Sequence, residues 1–131
     1  DNDNVGGSVF MSSGEAVAGT YFMMPMGSDQ SSIGSVDIFG VEDNSGETIL
    51  YGYNIINGVP EDSATYSLPI TTVSNEWTNI GLDWSFNGDF LIGMKISTSI
   101  AIGRDESAVP SGHSWINIGG WETWNYLSSL T

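Results

Sequence analysis

Cysteine is absent from this 131-residue chain, and basic residues are nearly absent. Without cysteine the chain has no disulfide, no thiolate nucleophile and no cysteine-ligated zinc site. Lys95 and Arg104 are the only basic residues beside sixteen acidic ones, so the formal net charge is -14. Because nucleic acids and anionic membrane surfaces are bound through lysine and arginine, we expect neither as a partner.

The acidity itself has two explanations. It keeps a protein soluble in salty or extracellular surroundings, where ions screen repulsion within about 8–10 Å, and it also suits the binding of cations, mainly calcium. The chain has no basic-then-apolar leader and no apolar run of membrane-spanning length, and it begins DNDNVGG. We therefore expect no membrane insertion, and we interpret the chain as a mature secreted or cell-surface product or as a module of a longer protein.

Helical periodicity is also missing. No window places apolar residues at i, i+3, i+4 and i+7 over three turns, and the seventeen glycines disfavour helices. Short segments alternate apolar and polar residues instead, with turn signals about every 8–12 residues. This pattern predicts one all-β domain over residues 1–131, an antiparallel two-sheet β-sandwich of jelly-roll type, with residues 1–7 as a flexible arm.

The region from Trp77 to Trp124 organises the rest of the chain, because it holds all five tryptophans, both basic residues and the only histidine. Within it, the alternating segments 78–84 and 90–96 flank an Asn-Gly dipeptide at 87–88. Asn-Gly tolerates the positive φ angles of a tight hairpin turn. The pattern therefore predicts a β-hairpin with one face in the core.

Three further segments bear on the fold. Pro69 interrupts the segment 66–73, which favours an edge or bulged strand. Residues 113–118 and 121–127 flank the Gly119-Gly120 pair and predict a closing hairpin. Residues 57–64 are expected to form a loop.

Small and aromatic residues follow a characteristic order between about residues 34 and 126: Trp77, Gly88-Asp89-Phe90, Ile92-Gly93, Ile102-Gly103, Asp105, Ser114-Trp115 and Trp121. This order resembles a family of small jelly-roll accessory modules of exported bacterial multidomain proteins, described as adhesin-like or carbohydrate-binding-module-like. The resemblance implies a two-sheet β-sandwich in a secreted or cell-surface protein. It implies no specific activity.

Nucleophilic catalysis would depend on His113, the only imidazole base. Ser111, Ser114 and Asp105 lie near it in sequence, but there is no Gly-x-Ser-x-Gly turn, and adjacent strand residues point to opposite faces. We therefore expect no catalytic role for His113 and no enzyme activity.

Other catalytic and phosphate-binding sites are also disfavoured. Carboxylate pairs for glycoside hydrolysis can be drawn from Asp83, Asp89, Glu106 and Glu122, but so acidic a chain offers such pairs by chance. No Gly-rich loop is followed by lysine and a helix, so a phosphate cradle is not expected.

Calcium is the only cofactor that the sequence suggests. Acidic loops occur at 1–4, 42–44, 61–62 and 105–106, and none has the spacing of an EF-hand. In β-sandwiches calcium usually pins a loop, so we expect at most one structural ion. Asp105 and Glu106 are the first choice for its ligands.

The tryptophans support two interpretations. A solvent-facing Trp on a sheet can stack on a sugar ring while neighbouring amides and carboxylates bond its hydroxyls. The candidates for this role are Trp77, Trp115, Trp121 and Tyr126, of which two or three would have to be exposed together. The alternative is that these rings fill the sandwich. By alternation, Trp77 and Trp84 lie on opposite faces, so at most one of them is in the core.

These features favour a non-catalytic accessory module that binds a glycan or another surface ligand through exposed aromatic residues. The alternative is a structural or interaction module that spaces or stabilises a neighbouring domain, or self-associates; a small hydrolase using His113 is a distant third. Exposed, coplanar aromatic rings would favour glycan binding, and a broad apolar patch without a groove would favour protein contact.

Overall fold

The computed structural model describes residues 5–9, 11, 13–24, 27, 30–105 and 114–123, with the backbone alone at 5–9, 103–105, 114 and 123. These residues form strands and no helix, so none of them builds a helix that could cross a membrane. The eleven strands are β1 (Val5–Val9), β2 (Ala16–Phe22), β3 (Ser31–Phe39), β4 (Glu47–Ile56), β5 (Val59–Pro60), β6 (Tyr66–Thr71), β7 (Trp77–Phe86), β8 (Phe90–Ile96), β9 (Ile102–Asp105), β10 (Ser114–Asn117) and β11 (Trp121–Thr123).

The strands form a β-sandwich in which all pairings between named strands are antiparallel. The larger sheet has the order β11-β10-β2-β8-β4-β5, and β6 also pairs with β4. Strands β3 and β7 form a two-stranded ribbon against this sheet, and β1 pairs with β9. The expectation of an all-β antiparallel sandwich is therefore confirmed, whereas its jelly-roll type stays a prediction.

The segments around Asn87-Gly88 form the expected strands but not the expected hairpin. Strand β7 pairs with β3, whereas β8 lies between β2 and β4 in the other sheet. Neither residue of the dipeptide has a positive φ. The turn is instead an arch that carries the chain from one layer to the other.

Burial on both faces of β8 explains the arch. Its even-numbered residues point into the main core, and Leu91 on its opposite face is fully buried as well. A strand buried on both faces belongs in the middle of a sheet, with neighbours on both edges. Across the arch, the rings of Phe86 and Phe90 stack with centroids 4.6 Å apart and an interplanar angle of 3°.

The other Asn-Gly dipeptide makes the tight hairpin. Asn57 and Gly58 have φ angles of 55° and 82°, and Ile56 pairs with Val59 across the turn. Both angles suit a type I′ turn. The expectation of a loop over residues 57–64 is therefore wrong at its start, where β4 turns directly into β5.

The remaining expectations for the strands have mixed outcomes. Among the described strands, β6, which contains Pro69, pairs only with β4 and is an edge strand, as expected. Strands β10 and β11 form the closing hairpin as far as the structure describes it. Residues 5–7 were expected in a flexible arm, but they lie in β1, which pairs with β9.

The main core lies between the two layers. It contains large buried side chains from both sides of the arch and from β4, of which Phe86, Leu50 and Ile96 are at most 2% exposed. The even-numbered residues of β7 face this core, as the alternation predicted. Each large apolar side chain that is fully buried contributes about 1.5–3 kcal/mol of burial free energy. The contact between the apolar face of the β3–β7 ribbon and that of the large sheet therefore holds the two layers together.

A second core lies on the other side of the large sheet. Tyr53 and Trp121 belong to strands separated by three others, about 19 Å apart in a flat sheet, yet their ring centroids are 4.9 Å apart. The indole Nε1 of Trp121 also donates to the backbone oxygen of Glu61 at 3.0 Å. The large sheet is therefore strongly curled, and Tyr53, Leu91 and Trp115 are buried on its concave side.

Asp89 fixes the arch to the neighbouring strands. Its Oδ2 accepts a hydrogen bond from the Tyr21 hydroxyl at 2.6 Å, its Oδ1 accepts one from the Met24 amide at 2.8 Å, and its backbone oxygen accepts one from the Ile55 amide at 3.1 Å. The bonds from Met24 and then Tyr21 lower the pKa of Asp89. Burial, together with the hydrogen bond to Asp89 and its charge, raises the pKa of Tyr21 to about 12.

Replacing Asp89 with asparagine should lower the free energy of unfolding by about 1–2 kcal/mol at neutral pH, because two bonds lose their charged acceptor. The folded-state pKa of Asp89 is lowered, so its contribution is present above the unfolded value of 3.8 and lost as the pH falls through the folded value. Denaturant titrations across this range should show the loss in the wild type. Asp62→Asn, at an exposed loop carboxylate, is the control and should match the wild type.

The two Asn-Gly turns should respond differently to alanine. Gly58→Ala should cost about 1 kcal/mol of unfolding free energy, because its φ of 82° is unfavourable for alanine. Gly88→Ala should leave stability unchanged or slightly higher, because a Cβ at Gly88 meets no atom within 4 Å. Equal losses in chemical denaturation would contradict the assignment of one dipeptide to a hairpin and the other to an arch.

Candidate functional site on the outer face of the β3–β7 ribbon

The structure separates the aromatic residues that the sequence suggested as ligand contacts. Trp77 is 49% exposed on the β3–β7 ribbon, whereas Trp115 is 9% exposed and Trp121 half-buried on the concave side of the large sheet. Tyr126 lies outside the described residues. Trp84 is buried in the main core, so the expectation that Trp77 and Trp84 face opposite ways is confirmed. Ligand binding by the four candidates stays a prediction.

The outer side of the ribbon, which we call the ribbon face, carries the exposed Trp77. It consists of the residues of β3 and β7 that point away from the main core. The register pairs Phe39 with Trp77, Asp37 with Asn79, Ser35 with Gly81 and Ser32 with Ser85; Gly34 and Asp83 complete the face. All of these residues except the half-buried Phe39 are exposed, so the face is open to solvent along its whole length.

Its aromatic end is held in place by the backbone. The Trp77 and Phe39 rings meet at an angle of 61°, with centroids 5.3 Å apart. Just beyond them, the backbone amide of Gly40 donates to the backbone oxygen of Glu76 at 2.8 Å, and the backbone amide of Asn75 donates to the backbone oxygen of Gly40 at 2.7 Å. The loop before β7 is thereby tied to the end of β3, which fixes the position of Trp77.

A carboxylate–amide pair follows the aromatic end. Asn79 Nδ2 donates to Asp37 Oδ1 at 2.8 Å, two residues along each strand from Trp77 and Phe39. This bond orients the amide and leaves the Asn79 oxygen and the other Asp37 oxygen as acceptors. An apolar ring surface therefore lies about 7 Å from hydrogen-bonding groups on one face, an arrangement that suits a hydroxylated ring with one apolar side.

The concave side of the large sheet is packed differently. Tyr21 and Trp115 stack with centroids 6.3 Å apart, and Trp121 packs edge-on against Tyr53. Burial, and to a smaller extent electrostatic interaction with Tyr51, raises the pKa of Tyr53 to about 12. Trp115 Nε1 is buried without a hydrogen-bond partner among the described residues. These rings contact one another and fill an interior, in contrast to Trp77.

Sites for metal or catalysis remain hypotheses. In the part of the chain that the structure describes, no three Asp, Glu or His residues converge as metal ligands. Asp105 ends β9 with only its backbone described, and Glu106 lies outside the described residues, so their role as calcium ligands stays a prediction. His113 and Ser111 also lie outside them.

Comparison with known proteins identifies a shared fold. No family model and no curated protein sequence matches the chain. One similar solved structure is the clostridial cysteine protease Cwp84 after propeptide cleavage, at a TM-score of 0.72 and 16% identity over 95% of this chain and 34% of that one. Another shows the cysteine protease and lectin-like domains of Cwp84, described as a surface layer associated protein of Clostridium difficile, at a TM-score of 0.68 and 16% identity over 89% and 30%. The chain thus spans about a third of each.

Sequence reasoning did not find Asp37, Phe39 or Asn79 as site residues. Alternation alone places Asp37 and Phe39 on the side of β3 opposite Val36 and Ile38, which pack against the main core. The missing information was the pairing of β3 with β7, because the sequence favoured a hairpin between β7 and β8.

Gly40→Ala should disrupt the support of Trp77 and lower the unfolding free energy by about 2 kcal/mol or more. A Cβ at this position would lie 1.8 Å from the backbone oxygen of Val73, so the loop must move. Gly34→Ala on the same strand is the control, because its Cβ would meet no atom within 4 Å. Thermal melts and Trp fluorescence should change for the first variant only.

Proposed function

We propose that this domain is a non-catalytic accessory module of a secreted or cell-surface protein and that it binds glycan through the ribbon face. The observation that carries the proposal is the exposed Trp77 ring beside the Asp37–Asn79 pair. Stacking on a sugar removes apolar surface of both partners from water, and the acceptors on the pair bond the hydroxyls at its rim. No bond is made or broken in this role.

The comparisons support this proposal at the level of the fold. One of the two similar structures contains the cysteine protease and lectin-like domains of Cwp84, described as a surface layer associated protein. In both, the matching part is about a third of a longer chain. By analogy of fold, we propose a neighbouring domain of the same polypeptide as a further partner. The proposal of glycan binding is based on the ribbon face and not on this analogy.

A second candidate function has its own observation. Phe22, Met23, Ile56 and Val59 are 37–69% exposed. The first three lie where β2 and β4 end beside the arch, and Val59 begins β5 opposite Ile56. Apolar side chains gathered at one end of a domain suit contact with protein. We therefore retain the structural or interaction module as the alternative. In that case, replacing Met23 and Ile56 with serine should abolish contact with the neighbouring domain or self-association, and should leave glycan binding unchanged.

Trp77→Ala should reduce the affinity for a neutral polysaccharide at least tenfold, about 1.4 kcal/mol of binding free energy, while leaving the fold intact because the ring is half exposed. Isothermal titration calorimetry against a panel of soluble neutral polysaccharides measures the change. Ile118→Ala, at an apolar residue that is 55% exposed after β10, is the matched control and should bind like the wild type. Equal binding by the Trp77 variant would refute the proposed site.

A further inference from the structure

A shallow trough runs along the ribbon face beyond its aromatic end. An ideal Cβ built on Gly34 or Gly81 meets no atom within 4 Å, and Ser35, opposite Gly81, is small and exposed. The face is therefore low in its middle, between the aromatic pair at one end and Asp83 towards the other. Trp77 and Ser85 mark its ends, at most about 27 Å apart at the rise of an antiparallel strand, since the register shifts between Ile33 and Ser35.

Polar groups continue along this trough. After the Asp37–Asn79 pair come Asp83 and then the hydroxyls of Ser32 and Ser85, which are opposite each other. The far end is fixed, because the Tyr66 hydroxyl donates to the backbone oxygen of Ser85 at 2.9 Å and accepts a hydrogen bond from the backbone amide of Ser85 at 3.2 Å. A ligand that extends past Trp77 thus meets hydrogen-bonding groups along the full length of β7.

The charge on this face restricts the ligand. Its ionisable residues are Asp37 and Asp83, and both are exposed. Lys95 lies in β8 of the other sheet, 3.8 Å from Glu15, and Arg104 lies in β9. The face therefore repels polyanions, and Trp77 is the large apolar side chain that it exposes.

We propose that the ribbon face binds a neutral polysaccharide as an extended chain, which stacks on Trp77 and lies along the trough over Gly81 towards Ser85, and that it discriminates against polyanionic glycans of the same backbone. This inference rests on the proposed glycan binding and adds the charge class of the ligand, its direction and its length. Contacts beyond Trp77 are made only by ligands of several sugar units, so affinity rises with chain length.

The test uses β-1,4-linked oligomers of glucose, mannose and N-acetylglucosamine with two to six units, and carboxymethylcellulose as a polyanion to compare with neutral cellulose chains. For the backbone that binds best, the six-unit oligomer should bind at least tenfold tighter than the two-unit oligomer. At low salt, carboxymethylcellulose should bind at least tenfold more weakly, per six sugar units, than the neutral glucose hexamer of the same backbone.

Gly81→Leu fills the trough and should remove most of this length dependence, while the two-unit oligomer still binds through Trp77. Ser35→Leu fills it from the paired strand and serves if the first variant does not fold. Thr71→Leu, on an exposed position of β6, is the control for an added surface leucine and should leave binding unchanged.

The failures of the two proposals can be told apart. Binding that depends on Trp77 but is equally strong for two and six units, or is unaffected by both trough variants, overturns the extended-chain inference and keeps the ribbon face as a binding site. Preference for the polyanion overturns the charge class. Absence of binding to every oligomer overturns the proposed function and this inference with it.

Discussion

The arch at Asn87-Gly88 is the constraint on which the rest of the structure depends. It places β7 and β8 in different layers, so that their apolar faces meet across the main core instead of lying side by side. The stacked rings of Phe86 and Phe90 and the bonds to Asp89 hold the crossing. Because β7 is thereby free to pair with β3, the arch also creates the ribbon face.

Much of the local structure could be predicted from the sequence, because alternation reports which side chains of a strand are buried. The faces of β7 and β8, the edge position of β6 and the closing hairpin all follow from such patterns. The pairing of β7 and β8 could not be predicted, because Asn-Gly permits a hairpin without requiring one. At residues 57–58 both φ angles are positive and the hairpin forms, whereas at 87–88 the burial of Leu91 on the second face of β8 favours an arch.

The candidate site was only partly predictable for the same reason. Trp77 was predicted as a ligand contact because it alternates with the buried, even-numbered residues of β7 and therefore points away from the core. Its partners were missed because Asp37 and Phe39 reach it through the non-local pairing of β3 with β7. Trp115 and Trp121 entered the sequence-based set because alternation does not reveal that the large sheet curls and encloses its second face.

The proposed role follows from this division of the aromatic residues. Those on the concave side pack against one another in a second core. Trp77 instead keeps half of its surface exposed to water, beside the oriented amide of Asn79 and the carboxylate of Asp37. Mapping amide chemical shifts by NMR during titration with a neutral oligosaccharide tests this most directly. The account predicts that the shifts concentrate at residues 34–39 and 77–85. Shifts concentrated at Tyr53, Trp115 and Trp121 would contradict it.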